Sequence, residues 1–331
     1  MKALIVTNMF PSKERPGWGS FVGSQVQSLR DEGVDLDVIH IRSDVSKREY
    51  WGAKAKVRDH CRAKKYDVIH AHYGLSAAPC LLQSKVPLVI SYCGSDIFGH
   101  TDIDGKTSLK SAVFAFIQRL FGYRAAQVIV KSGEMKDRLA PAVQNKTHIV
   151  PNGVSFDRFY PGDKPAERAS LALDPDTFYV LFPYDPGRLR KNFRLLELAI
   201  EELNSQGHKL APLVMFERHP DEIAQAMRAA DCLALTSYWE GSPNAVKEAM
   251  ASNLPIVATD VGDVRWLVSG LEGAEVTTTD QADFTAALGR IVERGNLPTS
   301  SRSQMAHLEL GAVARQVIDI YKQASDGGRV K

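Results

Sequence analysis

Short apolar runs alternate with helix-periodic segments from one end of the chain to the other. ALIVTN (3–8) reads as a first strand, SFVGSQVQSLRDEG (20–33) as a helix closed by a glycine, and LDVIHI (36–41) as the next strand. DVIHAH (67–72), a helix through AAPCLLQS (77–84), PLVISYCG (87–94), a long helix from about 106 to 124, AQVIVKS (126–132) and HIVPNGV (148–154) follow. The second half repeats the theme. YVLFPYDP (179–186), APLVMFE (211–217), CLALTSY (232–238) and PIVATDVG (255–262) are strand-like, and NFRLLELAIEELNSQG (192–207), EIAQAMRAA (222–230) and AVKEAMASN (245–253) are helical. Continuous apolar strands separated by helices describe parallel sheets covered on both faces. The pattern breaks once, in a Pro-, Gly- and Asp-containing loop at 151–165. An α/β chain of two Rossmann-like domains facing across a cleft is therefore expected, with ligands at the carboxyl ends of the strands. The expected division is 1–150 and 151–310, the first unit being completed by a helix at 311–325.

A length of 331 residues suits two such units, and 44% hydrophobic with 24% charged residues is ordinary for a soluble protein. No apolar run nears the roughly 18 residues a membrane span requires. MKALIVTNMF reads as a strand, not as a signal peptide. Cys61, Cys80, Cys93 and Cys232 have no paired spacing, which suggests reduced thiols, a cytoplasmic setting and no structural zinc. Charge changes the picture more. Residues 1–150 carry 22 Lys and Arg against 14 Asp and Glu, a balance of +8, so a total of +2 leaves −6 for the remainder.

The densest chemistry lies in EGSPNAVKE (240–248). Ion pairs on a helix prefer spacings of three or four, so two glutamates eight apart serve another purpose. Ser242 is placed to cap a helix and Pro243 to occupy its first position. The amides of Asn244 and Ala245 would then be free donors at a positive dipole end, a ready anion site. Glu240 stands at the mouth and Glu248 on the face of Asn244, roughly 8–10 Å away by helical rise. Two carboxylates for hydroxyls, with a phosphate site between them, match a nucleoside-diphosphate sugar.

EGSPNAVKEAMASNLPIVATDVG (240–262) resembles the glutamate signature of the retaining family 4 glycosyltransferases, which have the GT-B fold. PGWGSFV (16–22), DVIHAH, the GSD at 94–96, PNGVSFDRF (151–159), DPGRLRKN (185–192) and a C-terminal helix around VARQVIDIYKQ (313–323) match in the expected order. The resemblance covers essentially the whole chain. It implies that Glu248 binds the nucleotide ribose, that Glu240 contacts the transferred sugar, and that Gly241, Ser242, Pro243, Asn244 and Ala245 surround sugar and phosphates. It implies a pyrophosphate role for Arg188 and Lys191, with Arg190 a competitor for either. His72 would reach the reaction centre, Gly19 would belong to a loop closing over the phosphates, and the last helix would cross back to the first domain. In DVGDVRWLV (260–268), Asp263 and Trp266 depart from the family pattern, so Gly262 alone carries over. Trp18, Gly94, Ser95 and Asp96 are acceptor-side candidates.

Each residue has a plainer alternative. His70 and His72 read as pointing to opposite sides of a strand, one of them structural. Arg188 and Lys191 would also suit a solvated loop, and Asp96 a turn. GWGSFVG (17–23) imitates a dinucleotide fingerprint, but eight residues separate it from the first strand, too many for that tight turn. The DID of Asp102–Asp104 imitates metal-binding aspartates, yet it follows no strand and reads as a turn. No metal and no cofactor are expected, and phosphate charge falls to Arg188, Lys191 and helix amides. Between 47 and 65 lie eight basic residues beside Tyr50 and Trp51, so Trp51, Lys54, Lys56 and Arg58 are candidates for an anionic membrane surface, with VFAFIQRLFGYR (113–124) a second candidate. Nucleic acid is not expected, since no recognition motif accompanies the basic patch. The expected activity is retaining, metal-independent hexosyl transfer from a nucleotide sugar to a saccharide or lipid-linked acceptor, on the inner face of a membrane. Its rivals are a GT-B epimerase or phosphorylase and a non-catalytic sugar-nucleotide-binding partner.

Overall fold

The computed structural model describes residues 1–43, 45–46, 48–81, 86–100, 108–295 and 297–327. The DID turn and Lys47 lie outside the described residues. The first sheet contains β1 (Lys2–Thr7), β2 (Asp35–His40), β3 (Val68–His72), β4 (Leu88–Ser91), β5 (Gln127–Val130) and β6 (Thr147–Ile149), in the order β2-β1-β3-β4-β5-β6. The second contains β7 (Phe178–Phe182), β8 (Leu210–Val214), β9 (Cys232–Leu235), β10 (Ile256–Thr259) and β11 (Ala274–Thr277), in the order β11-β10-β9-β7-β8. Neighbouring strands pair in parallel throughout both sheets. Strand order reverses beside β1 in one sheet and beside β7 in the other. Crevices open at such switch points, outside the strand carboxyl ends.

Helices α1 (Ser20–Asp31), α2 (Glu49–Ala63), α3 (Gly74–Ala77), α4 (Ser95–Phe98) and α5 (Leu109–Phe121) belong to the first unit. Helices α6 (Phe193–Ser205), α7 (Pro220–Ala229), α8 (Asn244–Ala251) and α9 (Gln281–Arg294) belong to the second. Both β11 and α9 went unmarked in the sequence pattern. AEVT is a half-buried edge strand with no apolar run to announce it. Helix α5 also ends before 124, where residues 122–124 tighten into a 3₁₀ turn.

The last helix, α10 (Leu310–Gly327), leaves the second unit and packs on the first. Its Val313, Val317, Ile320 and Tyr321 share a core with Val22, Val26 and Leu29 of α1 and with Ile5 and Ile129 of the sheet. Two chain crossings therefore join the units, and they touch. Val154 N–H donates to Leu308 O at 2.8 Å, and Leu310 N–H donates to Val154 O at 3.1 Å. Tyr321 reaches further, sharing a 2.7 Å hydrogen bond with Nδ1 of His70, whose Nε2 pairs with Ser91 Oγ at 2.7 Å. His70 is thus the structural histidine of β3. The expectation that His70 and His72 point opposite ways is wrong. Residues two apart on a strand share a side, and the two rings lie 4.1 Å apart, centroid to centroid.

This buried Tyr–His–Ser chain fixes α10 to the first sheet. Tyr321→Phe strands a polar nitrogen and is expected to cost about 1–3 kcal/mol, read as a lower midpoint in thermal unfolding. A midpoint equal to wild type would show that the chain contributes nothing.

Candidate functional site

Loops after the adjacent strands β7, β9 and β10 converge on one carboxylate. The loop after β7 makes a 3₁₀ turn at Leu189–Lys191 and is stitched to the loop after β9: Tyr238 N–H donates to Arg190 O at 3.0 Å and Thr236 Oγ1 to Lys191 O at 2.7 Å. That registration brings Lys191 Nζ to 2.5 Å and Arg190 Nη1 to 2.9 Å from Glu240 Oε1, while Ser237 Oγ donates to the same oxygen at 2.8 Å. Arg190 also stacks on Trp239 at 4.6 Å, and Lys191 Nζ stands 3.5 Å from the Tyr184 ring centroid. Burial pushes the Glu240 carboxyl up, but Lys191 and then Arg190 outweigh it, so the group lies below the ordinary carboxylate range. Gly262 supplies the third loop. Its φ of 59° is left-handed, and a Cβ there would stand 2.7 Å from Gly241 O. Only glycine fits so close beneath the Glu240–Gly241 turn.

Helix α8 starts one residue later than expected. Pro243 keeps extended backbone, with ψ 118°, and is itself the cap position. Ser242 does not cap; its Oγ accepts from Lys247 Nζ at 3.1 Å instead. Asn244 opens the helix, and its Oδ1 accepts from Asn152 Nδ2 of the interdomain linker at 3.1 Å. Glu248 faces the cleft, where burial pushes its carboxyl up to about 7 against the opposing pull of Lys247 and Arg158. The two glutamates of the motif thus have opposite tendencies.

The cleft has a volume of about 450 Å³ and is lined from the second unit by Tyr184, Arg188, Lys191, Glu240, Asn244 and Glu248. Arg188 remains half-exposed, 3.9 Å from Asp185, so its guanidinium is the more open of the two expected phosphate ligands. Arg190 spends its charge on Glu240 and Trp239. The first unit contributes Gly17 and Trp18, the latter stacked 4.5 Å from Arg15. Behind them Gly19 takes φ 68° as the cap of α1, and a Cβ there would lie 2.4 Å from the carbonyl carbon of Met9. Glycine is a steric requirement at this turn.

The remaining expected residues stand apart from the cleft lining. His72 is 1% exposed, and among the described residues neither ring nitrogen has a hydrogen-bond partner. Asp96 is fully buried and accepts from the amides of Gly74, Gly94 and Cys93 at 2.8, 2.8 and 3.0 Å. It organises two strand-end loops, leaving Ser95, half-buried, as the more available of that trio. Gly94 approaches the second unit directly, since a Cβ on Gly241 would meet its Cα at 3.5 Å. Tyr184 and Lys247 were missed. Tyr184 had no signal beyond its place after a strand, whereas Lys247 sits between Val246 and Ala249 on the inward face of α8, where a lysine is out of pattern.

Glu248 has a folded-state carboxyl raised above its unfolded value. Its stabilising contribution is therefore complete below about pH 4.5 and lost as pH rises through about 7. Glu248→Gln should melt higher than wild type at pH 8, by on the order of 1 kcal/mol, with the gap closing toward pH 4.5. A constant difference across that range would contradict the assignment.

Comparison with known proteins bears on the whole chain. A family profile described as "Glycosyltransferase Family 4" matches residues 16–158, and one described as "Glycosyl transferases group 1" matches 191–294. A putative teichuronic acid biosynthesis glycosyltransferase, TuaC of Bacillus subtilis, is 25% identical, with 80% of this chain and 82% of that protein covered. A D-inositol 3-phosphate glycosyltransferase of Nocardia farcinica is 28% identical over 75% of this chain, which spans 62% of that relative's length. Among solved structures, sucrose-phosphate synthase from Thermosynechococcus elongatus superposes with a TM-score of 0.76 at 19% identity, covering 98% of this chain and 99% of that one. The Anabaena protein HepE in complex with UDP and glucose gives 0.69 at 18% identity, with 97% and 99% covered. These likenesses establish the GT-B arrangement of the two sheets. The chain belongs to glycosyltransferase family 4.

Proposed function

We propose that this glycosyltransferase moves a hexose from a nucleoside-diphosphate sugar to a saccharide or lipid-linked acceptor, with retention at the anomeric carbon and without a metal, in the synthesis of a bacterial cell-surface polysaccharide or glycolipid. The observation that carries the reading is the pair of unlike carboxylates flanking the start of α8. Glu248, opposite in tendency to Glu240, would accept the ribose hydroxyls once ionised. Arg188 would meet the diphosphate, assisted by Lys191 and the first amides of α8, where negative charge grows as the nucleotide leaves. Glu240 would hold the sugar. Its oxygen already accepts from Lys191, Arg190 and Ser237, and a carboxylate so engaged is a poor nucleophile. That favours positioning over covalent attack, with the departing phosphate taking the acceptor proton. The Gly17–Gly19 turn would close over the phosphates and exclude water, and His72 would act from the first unit. The TuaC relative's name supports a polysaccharide setting.

The acceptor side has its own support. Helix α5 is inside out. Gln118 and Ala115 are buried, while Leu109 is 81%, Phe116 54% and Val113 48% exposed. No acidic residue occurs from 106 to 133, whereas Lys110, Arg119 and Arg124 do. Basic α2 lies on the same side of the first sheet, its Ala53 and Val57 sharing a core against which Phe121 of α5 packs. Trp51 of α2 is 84% exposed, and Lys54, Lys56 and Arg58 face solvent. An apolar helix with cationic surroundings suits the interface of an anionic bilayer. Among the described residues no helix is long and apolar enough to cross a membrane.

Donor affinity should rise with pH up to about 7, following ionisation of Glu248, and Glu248→Ala should weaken it tenfold or more. His72→Ala should chiefly lower kcat. Calorimetric titration with UDP-, GDP-, ADP- and TDP-glucose reads the first two effects, and an unchanged affinity in the Glu248 variant would defeat the proposal. Vesicles with and without anionic phosphatidylglycerol test the second part. Phe114→Ser with Phe116→Ser should abolish co-sedimentation, and charge reversal at Lys54, Lys56 and Arg58 should make it salt-insensitive and weaker. Equal binding by all variants would remove the membrane from the picture.

A further inference from the structure

Where the strand ends of the first sheet meet α8, the seam holds two lysines that among the described residues contact no carboxylate. Lys247 is fully buried and donates to Ser242 Oγ at 3.1 Å and to Asn152 O at 3.3 Å. Lys131, which follows β5, is 2% exposed and donates to Val150 O at 3.4 Å. Among the described residues, these uncharged oxygens are the hydrogen-bond acceptors of both ammonium groups. The two linker carbonyls are two residues apart, about 7 Å in extended chain, so the linker brings both charges to adjacent points. His72 lies within reach of the Lys131 charge, buried, and among the described residues both its ring nitrogens are unpartnered. Burial, His70 and Lys131 all hold its ring neutral, leaving one N–H to give.

Nearby acids answer this charge only from a distance: Asp96 acts on Lys131 and Asp263 on Lys247 without an ion-pair contact among the described residues. Asp96 is committed to three amides. Burial pushes the Lys247 ammonium down to about 8, and Asp263, whose own carboxyl burial pushes up, opposes this from beyond ion-pair distance, with Glu248 weaker still. The amino end of α8 adds positive potential. Burying an ammonium without a partner charge is costly, and neutral carbonyls offset that only in part. Two such groups beside an unpartnered imidazole at a helix start form a receptor for an anion.

We propose that Lys131, Lys247 and His72 form a subsite for an anionic substituent, a carboxylate or phosphate, on a sugar bound in the cleft. The proposal rests on the transferase reading and adds the substrate class to it. The donor sugar is the favoured carrier. Ser242 and Asn244, the direct partners of Lys247 and Asn152, line the cleft that would hold the donor. The substrate is then a nucleotide-linked uronic acid, its carboxylate seated between the two ammonium groups.

The test uses the full chain and matched donors: UDP-glucose with UDP-glucuronate, UDP-galactose with UDP-galacturonate, and GDP-mannose with GDP-mannuronate. The acidic member of one pair should bind at least tenfold tighter in calorimetry. Lys131→Met and Lys247→Met should each erase that preference while free UDP or GDP binds as before. The methionine variants should melt at or above wild type without ligand, since a buried charge is removed; lysines that merely tied the linker would give lower melting. If a neutral donor wins in the wild type, but inorganic phosphate competes with the acceptor and loses that effect in the variants, the anion belongs to the acceptor. A neutral preference with no phosphate effect overturns the subsite. Failure of every donor and of free UDP, GDP, ADP and TDP to bind would bring down the transferase reading and this inference with it.

Discussion

A carboxylate kept charged on a half-closed cleft wall is the constraint around which the second unit is built. Glu240 exposes only a small part of its side chain, and burial alone would protonate it. Lys191, Arg190 and Ser237 hold it ionised, and each comes from a loop whose position depends on another. The turn after β7 is registered on the loop after β9 by a backbone hydrogen bond from Tyr238 and one from the Thr236 hydroxyl, Gly262 fits beneath from β10, and Tyr184 and Trp239 provide aromatic faces for the two cations. Removing Lys191 or Arg190 would take a partner charge from a largely buried carboxylate. This is a larger penalty than the loss of a surface ion pair.

The same wall contains the opposite case. Among the described residues Glu248 has no ion pair, so burial prevails and its proton is held up to about pH 7. Two carboxylates eight residues apart are thus driven in different directions by their surroundings. The cation cluster at Glu240 keeps one carboxylate ionised, and among the described residues no such cluster stands at Glu248 to do the same.

Connection between the units is economical. Two crossings of the chain touch at Val154 and Leu310, and α10 locks onto the first sheet through Tyr321 and His70. Beyond them, Gly94 and Gly241 approach backbone to backbone, and Asn152 bridges to Asn244. Seam and hinge therefore share the linker at 150–154, and the buried lysines Lys131 and Lys247 both rest on its carbonyls. Whatever changes the charge in that seam acts on the element that joins the two halves.

Local pattern was sufficient for the architecture. Apolar runs such as LIV, VLF and CLAL can be buried on both faces in a parallel sheet, and the helices between them declare their own periodicity, so sheet class and the two-unit division were legible from residue order. AEVT, an edge strand with half-buried positions, carried no such signature. The loop at Glu240–Glu248 was legible as a strand-to-helix transition because Ser, Pro and Asn have local conformational preferences, although Pro243 moved the start by one residue. What pairs with Glu240 was not legible, because Lys191 is 49 residues away and only the adjacency of β7 and β9 joins them. Nor could order along the chain show that His72 is enclosed, that Lys247 and Lys131 rest on one linker, or that α5 turns its phenylalanines outward. Each of these depends on which element packs behind a residue, a long-range fact that a local pattern does not contain.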